Sequence, residues 1–92
     1  MGVKALGQAG TLESNDVLVT VELQQDGQLD IEVESIVMAQ FGEKIVETAM
    51  ATLKKLEVRH GVVKIIDKGA LDFAIRARII TAVNRARGRE AS

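Results

Sequence analysis

Residues 17–34 read VLVTVELQQDGQLDIEVE, and this stretch decides the fold. One face of its first half collects the apolar residues Val17, Val19, Val21 and Leu23. This alternation is typical of a half-buried β-strand. Asp26-Gly27 is a pair favoured in tight turns, and apolar residues alternate again with acidic ones beyond it. The stretch therefore predicts a β-hairpin with an acidic outer face.

A helical period follows the predicted hairpin. Ser35 is suited to an N-cap, and a helix would then end near Arg59-His60-Gly61, where cationic residues precede a glycine. The apolar stripe of this helix comprises Phe41, Ile45, Ala49, Leu53 and Leu56.

A third strand and a second helix complete the pattern. The β-branched run from Val62 to Asp67 predicts the strand, and residues 70–87 predict the helix. The stripe of the second helix comprises Leu71, Ile75, Ile79, Ala82, Val83 and Ala86. The order β-β-α-β-α predicts a two-layer α+β domain, in which the N-terminal hairpin and the third strand pack against two helices. We expect one domain over residues 1–92, with residues 1–13 as a flexible arm.

The composition excludes several classes of protein. The 92 residues contain no cysteine and one histidine, so disulfides, cysteine nucleophiles and two-histidine metal sites are ruled out. No apolar run approaches the roughly 18 residues of a membrane span, and no signal peptide is recognisable. We expect a cytoplasmic protein that does not associate with a membrane.

Charge is distributed unevenly along the chain. Residues 1–60 hold five Lys/Arg and ten Asp/Glu, whereas residues 61–92 hold seven and three, which gives −5 and +4. A dipole of this kind, without clustered aromatic residues, argues against nucleic acid as a partner. The arginines of the second helix indicate a solvated face or a docking surface for an acidic partner or a polyphosphate.

Candidate catalytic residues are few. Ser14 and His60 could form half of a nucleophilic dyad if they lay within about 3 Å of each other. Glu13 and Asp16 flank Ser14, and such acids could form a turn, a cap or a recognition signature for a modifying enzyme. Without further information, an exposed serine before a strand is unremarkable.

Three separated segments give this chain a resemblance to a known family. They are Gly10-Thr11-Leu12-Glu13-Ser14 with Asp16, Gln40-Phe41-Gly42, and Asp67-Lys68-Gly69-Ala70-Leu71-Asp72 leading into Ile75-Arg76-Ala77-Arg78. In register, they resemble the acyl carrier protein, or γ subunit, of citrate lyase from about Ala9 to Arg87. Asn15 stands where the family often has glycine, and asparagine also tolerates a left-handed backbone.

The resemblance implies a non-catalytic carrier. It implies that Ser14 is joined by a phosphodiester to 2′-(5″-triphosphoribosyl)-3′-dephospho-CoA, whose thiol carries acetyl and citryl groups. The implied partners are the α subunit (acyl transferase), the β subunit (citryl lyase) and a prosthetic-group transferase. Charge further suggests that Glu13 and Asp16 orient the transferase, and that Arg76 and Arg78 pair with the phosphates or with acidic partner surfaces.

Three alternatives remain open at this point. The carrier subunit of malonate decarboxylase uses the same type of group on a serine. The second alternative is a hydrolase that uses Ser14 and His60. The third is a protein-interaction module in which Ser14 has no role.

Overall fold

The computed structural model describes residues 5–88 and shows an α+β fold, as the sequence predicts. Its elements are β1 (Ala5–Gly10), β2 (Val17–Leu23), β3 (Leu29–Ser35), α1 (Met38–Lys55), β4 (Gly61–Asp67) and α2 (Asp72–Ala86). The four strands form one sheet in the order β1-β2-β4-β3. Strand β4 is antiparallel to β2 and parallel to β3.

Strand β1 corrects the prediction of a flexible arm over residues 1–13. Residues 5–10 pair with β2 in antiparallel register, from Ala5 opposite Leu23 to Gly10 opposite Leu18. Residues 1–4 lie outside the described part. The sequence signal was weak because the inward residues of β1 are small. A Cβ on Gly7 would lie 2.0 Å from the carbonyl oxygen of Ala82, so α2 can pack on β1 only where no side chain intervenes.

The predicted hairpin of β2 with β3 is wrong, because β4 lies between these two strands. The loop over residues 24–28 passes the beginning of β4 instead of closing a ladder. Gln24 N donates to the carbonyl of His60, and Gly61 N donates to the carbonyl of Gln28. Because β4 is inserted there, Val63 and Ile65 have a neighbouring strand on each side. Both residues are fully buried or nearly so. The hairpin of the molecule is β1–β2, joined by residues 11–16.

Both helices cover one face of the sheet. Helix α2 packs on β1 and β2, and α1 packs on β3 and against α2. The core contains the predicted stripe residues Ile45, Ala49, Leu53, Ile75, Ile79, Ala82, Val83 and Ala86. Neither helix of residues 5–88 is both long and apolar enough to cross a membrane.

Both helices begin later than predicted, and their first stripe residues are exposed. The N-cap of α1 is Val37, because Ser35 Oγ bonds to Asp67 and to the N–H of Val37. Phe41 and Leu71 lie at the N-terminal ends of the helices, where they face a groove between the helices and not the sheet. Helix α1 also ends early, at Lys55, so His60 does not cap it.

Candidate functional site

The β1–β2 loop, residues 11–16, places Ser14 at the tip of a turn. Asp16 N donates to the carbonyl of Glu13 at 3.1 Å and closes the turn. Asn15 has φ 67°, in the left-handed region that asparagine tolerates better than most residues. The Ser14 side chain is exposed, and its hydroxyl forms no hydrogen bond with residues 5–88.

The turn is fixed to the end of β4 by backbone hydrogen bonds. Asn15 N donates to the carbonyl of Lys68 at 2.8 Å, and Lys68 N donates to the carbonyl of Asp16 at 2.9 Å. These bonds continue the pairing of the two chain segments past the strands, with Asn15 donating to Lys68 in place of Asp16, the residue in register with it. Ser14 is therefore one residue away from a backbone held by the sheet, although it is itself exposed.

Asp16 is the centre of the polar contacts in the loop. Its carboxylate accepts hydrogen bonds from the Thr11 hydroxyl at 2.7 Å and from the N–H of Val17 at 2.7 Å. Arg78 on α2 donates to both carboxylate oxygens, through Nε at 3.2 Å and Nη2 at 3.0 Å. The Thr11 and Val17 hydrogen bonds, with a smaller contribution from Arg78, lower the pKa of Asp16 to about 2.

Gly10 allows the loop to leave β1. Its φ is +95°, and a Cβ there would lie 1.8 Å from the carbonyl oxygen of Val17. An L side chain would therefore separate the two strands where the loop begins.

Below the loop, Asp67 joins the ends of two strands. Its carboxylate is buried and accepts from the Ser35 hydroxyl at 2.7 Å and from the N–H of Ala70 at 2.9 Å. Since the two oxygens are shared between β3 and the segment that enters α2, Asp67 fixes the positions of both.

The predicted site residues fall into two groups. Glu13, Ser14 and Arg76 are exposed, and none of their side chains bonds to another described residue. Asp16 and Arg78 bond to each other, and this ion pair sets the shape of the loop. The sequence did not indicate the pair, because the two residues are 62 positions apart. Whether either group contacts a transferase or a phosphate remains a prediction.

The three segments that carried the family resemblance meet at one end of the molecule. Arg78 contacts Asp16, and Gly69 lies beside the Asn15 side chain. Phe41 shares a groove with residues 69–73. Segments far apart in sequence thus come together at the end of the sheet that carries the Ser14 loop.

His60 lies at the other end of the sheet. It precedes the first residue of β4, whereas Asn15 contacts Lys68, which follows the last residue. A strand of this length is about 20 Å long. His60 Nδ1 lies 2.7 Å from the carbonyl oxygen of Gly27. A hydrolytic dyad with Ser14 is therefore excluded. No group of three or more potential metal ligands occurs in the part of the chain that the structure describes.

Comparison with known proteins defines the class first. Residues 4–86 match the model of an acyl carrier protein family described as malonate decarboxylase delta subunit (MdcD), and the chain belongs to that family. The fold resembles a chain of a Pseudomonas malonate decarboxylase hetero-tetramer crystallised with malonate, with a TM-score of 0.69 and 16% identity. That match covers 94% of this chain and 88% of the other.

Curated relatives define the branch of the family. The chain is 48% identical over 86 residues to the citrate lyase acyl carrier protein of Fusobacterium nucleatum, covering 94% of this chain and 92% of the relative. It is 42% identical over 90 residues to that of Oenococcus oeni, with 98% and 92% covered. This protein therefore belongs to the citrate lyase acyl carrier protein family.

Proposed function

We propose that this protein is the acyl carrier subunit of citrate lyase and that Ser14 is its attachment residue. The group attached there by a phosphodiester would be derived from 2′-(5″-triphosphoribosyl)-3′-dephospho-CoA. It would supply the thiol that carries acetyl and citryl as thioesters during cleavage of citrate to acetate and oxaloacetate. A thiol must be supplied from outside the polypeptide because the chain contains no cysteine.

The observation that carries this proposal is the exposed hydroxyl of Ser14, which has no hydrogen-bond partner among residues 5–88. The other serine among residues 5–88 is Ser35, whose hydroxyl donates to the Asp67 carboxylate. The second hydroxyl of the β1–β2 loop, that of Thr11, donates to Asp16 and accepts from the N–H of Glu13. Ser14 thus presents its oxygen to solvent without first having to break a contact.

The loop also suits a covalent anchor mechanically. Backbone bonds to Lys68 and the contacts of Asp16 fix the base of the turn, while the Ser14 side chain remains exposed. An attached group can then move without disturbing the fold. Tethering keeps an acyl group at high effective concentration near the active sites of neighbouring subunits.

The partners proposed are the α subunit (acyl transferase) and the β subunit (citryl lyase), together with the transferase that modifies Ser14. Exposed Glu13 and Arg76 are available to such partners, with the protein in the cytoplasm. Asp16 would act on the transferase by shaping the loop, since Thr11, Val17 and Arg78 already occupy its carboxylate.

A second candidate is the carrier subunit of malonate decarboxylase, which the family description and the similar fold favour. The relatives from Fusobacterium nucleatum, Oenococcus oeni and Clostridium perfringens, at 42–48% identity, are named for citrate lyase, and this favours the first candidate. The plain interaction module has no comparable support.

Reconstitution can separate these functions. The chain is incubated with the transferase and the triphosphoribosyl precursor, acetylated, and combined either with citrate lyase α and β subunits or, in parallel, with the other subunits of malonate decarboxylase. We expect the wild-type chain and Ser35→Ala to gain the mass of the arm and to restore citrate cleavage, and Ser14→Ala to do neither. Restoration of malonate decarboxylation and not of citrate cleavage would support the second candidate. A chain that is never modified but is still required would support the interaction module.

A further inference from the structure

An apolar groove of about 490 Å³ lies between the N-terminal ends of α1 and α2. Its lining includes Val37, Phe41, Ile45, Leu71, Phe73 and Ile75. The volume is within the range typical of small-molecule sites in proteins, about 300–1,000 Å³. No function described so far uses this groove.

Both aromatic residues of the chain line the groove. The 92 residues include two phenylalanines and no Trp or Tyr, and Phe41 and Phe73 are 53% and 63% exposed. The buried core is aliphatic, so neither ring is needed to fill it. Two exposed rings on adjacent helices offer faces and edges for a flat aromatic ligand, which prefers such surfaces.

The groove adjoins the β1–β2 loop at Gly69. Gly69 lines it, and a Cβ at Gly69 would lie 3.5 Å from Asn15 Oδ1. The groove therefore begins beside the residue that follows Ser14. Its rim carries Lys44, whose ammonium lies 4.0 Å from the Asp72 carboxylate in an exposed ion pair. Such a pair is weak and leaves the ammonium free to meet a phosphate.

We propose that this groove binds the adenine base of the group attached to Ser14, a step that rests on the proposed function. By its connectivity, a phosphate and two ribose rings separate the serine oxygen from adenine, whereas the thiol lies at the far end of the pantetheine portion. Adenine is thus the first flat aromatic ring of the group beyond the attachment point. With the base held on Phe41 and Phe73, the root of the arm is fixed and only its thiol end moves.

Binding of the separate pieces tests the groove without any modification. The unmodified chain, labelled with ¹³C in its two phenylalanines, is titrated with 3′-dephospho-CoA and with 4′-phosphopantetheine. The ring signals of Phe41 and Phe73 should shift with the first compound and not with the second. Equal shifts with both, or with neither, would overturn the proposal.

Variants identify the contribution of the rings. Phe41→Leu and Phe73→Leu keep the groove apolar, and each should weaken 3′-dephospho-CoA binding about 5- to 150-fold, the worth of one stacked base. Met50→Leu is the matched control, since Met50 is an exposed apolar residue of α1 outside the groove lining. If Met50→Leu lost as much affinity for 3′-dephospho-CoA as the phenylalanine variants, the assignment of the groove would be contradicted.

The modified chain provides the decisive comparison. Once intact mass confirms the arm, nuclear Overhauser effects between adenine protons and the two rings are expected in the isolated subunit. A chain that carries the arm but shows unchanged ring signals overturns the groove assignment and leaves the carrier function intact. A chain that never acquires the arm overturns the carrier function instead. Ring shifts that depend on protein concentration, or that need the α or β subunit, would assign the groove to a second copy or to a partner and overturn the proposal.

Discussion

Neutralising Asp16 should destabilise the fold in a pH-dependent way. Its pKa falls from 3.8 to about 2 on folding, and at about 1.36 kcal/mol per pH unit this shift is worth about 2.5 kcal/mol. Solvent screens part of this, because the side chain of Arg78 is 41% exposed, although that of Asp16 is only 17% exposed. We therefore expect Asp16→Asn to lower the free energy of unfolding by about 1–2 kcal/mol at pH 7.

The sign of the pH dependence follows from the lowered pKa. Stabilisation by ionised Asp16 is fully present above about pH 5, and it is lost as the pH falls towards 2. Urea denaturation followed by circular dichroism at several pH values measures the difference between wild type and variant. About two-thirds of that difference should have disappeared at pH 2.5.

Glu13→Gln is the matched control for this experiment. Glu13 lies in the same loop and is exposed, and its carboxylate bonds to none of residues 5–88, so its replacement should change stability by less than about 0.5 kcal/mol. A difference for Asp16→Asn that stays constant from pH 7 to pH 2.5 would refute the ionised contact. An effect no larger than that of Glu13→Gln would refute it as well.

Three further predictions concern the same end of the molecule, each measured as the free energy of unfolding in urea. Gly10→Ala should cost about 2–5 kcal/mol, because its Cβ meets a strand carbonyl. Gly27→Ala, with a similar φ and open space, should cost about 1–2 kcal/mol, and equal losses would refute the clash. Asp67→Ala should cost about 2–4 kcal/mol, since two donors lose a charged acceptor, and a loss under about 1 kcal/mol would contradict this. Arg78→Gln should cost about 0.5–1 kcal/mol and Arg76→Gln less than that, and the reverse order would show that Arg78 is not the structural arginine.

The periodicity of the sequence was sufficient to predict most of the helices and strands, but not to predict which strands pair. The alternation of residues 17–23 lies where the sequence predicts it, and both helical stripes reach the core except at their first residues, Phe41 and Leu71. The Asp26-Gly27 signal suggested a hairpin, yet the helix between β3 and β4 allows these strands to pair in parallel. The stabilisation from burying β4 between two neighbouring strands outweighed the local preference for a turn. Local sequence patterns cannot predict this stabilisation, because it depends on which strands become neighbours.

Strand β1 shows a second limit. Its inward positions are Ala5, Gly7 and Ala9, which read as a loose segment because they bring little apolar surface. At Gly7 the backbone of α2 leaves no room for a side chain, a tertiary requirement that becomes visible only with α2 in place.

The candidate site was identified in part. Ser14 was found through a resemblance, and the structure adds a physical reason, namely that its hydroxyl has no competing partner among the described residues. The pairing of Asp16 with Arg78 was missed because it joins a loop to a distant helix. Phe41 and Leu71 were placed on the apolar stripes with the residues that reach the core, because a stripe cannot show that the ends of two helices face a groove.

The most direct test of the account locates the attached group in protein from an active native complex. Cleavage after glutamate separates Ser14, in the peptide 14–22, from Ser35, in the peptide 35–43. Mass spectrometry should find the phosphoribosyl-dephospho-CoA group on Ser14 and an unmodified second peptide. An unmodified Ser14 in a preparation that still cleaves citrate would contradict the account.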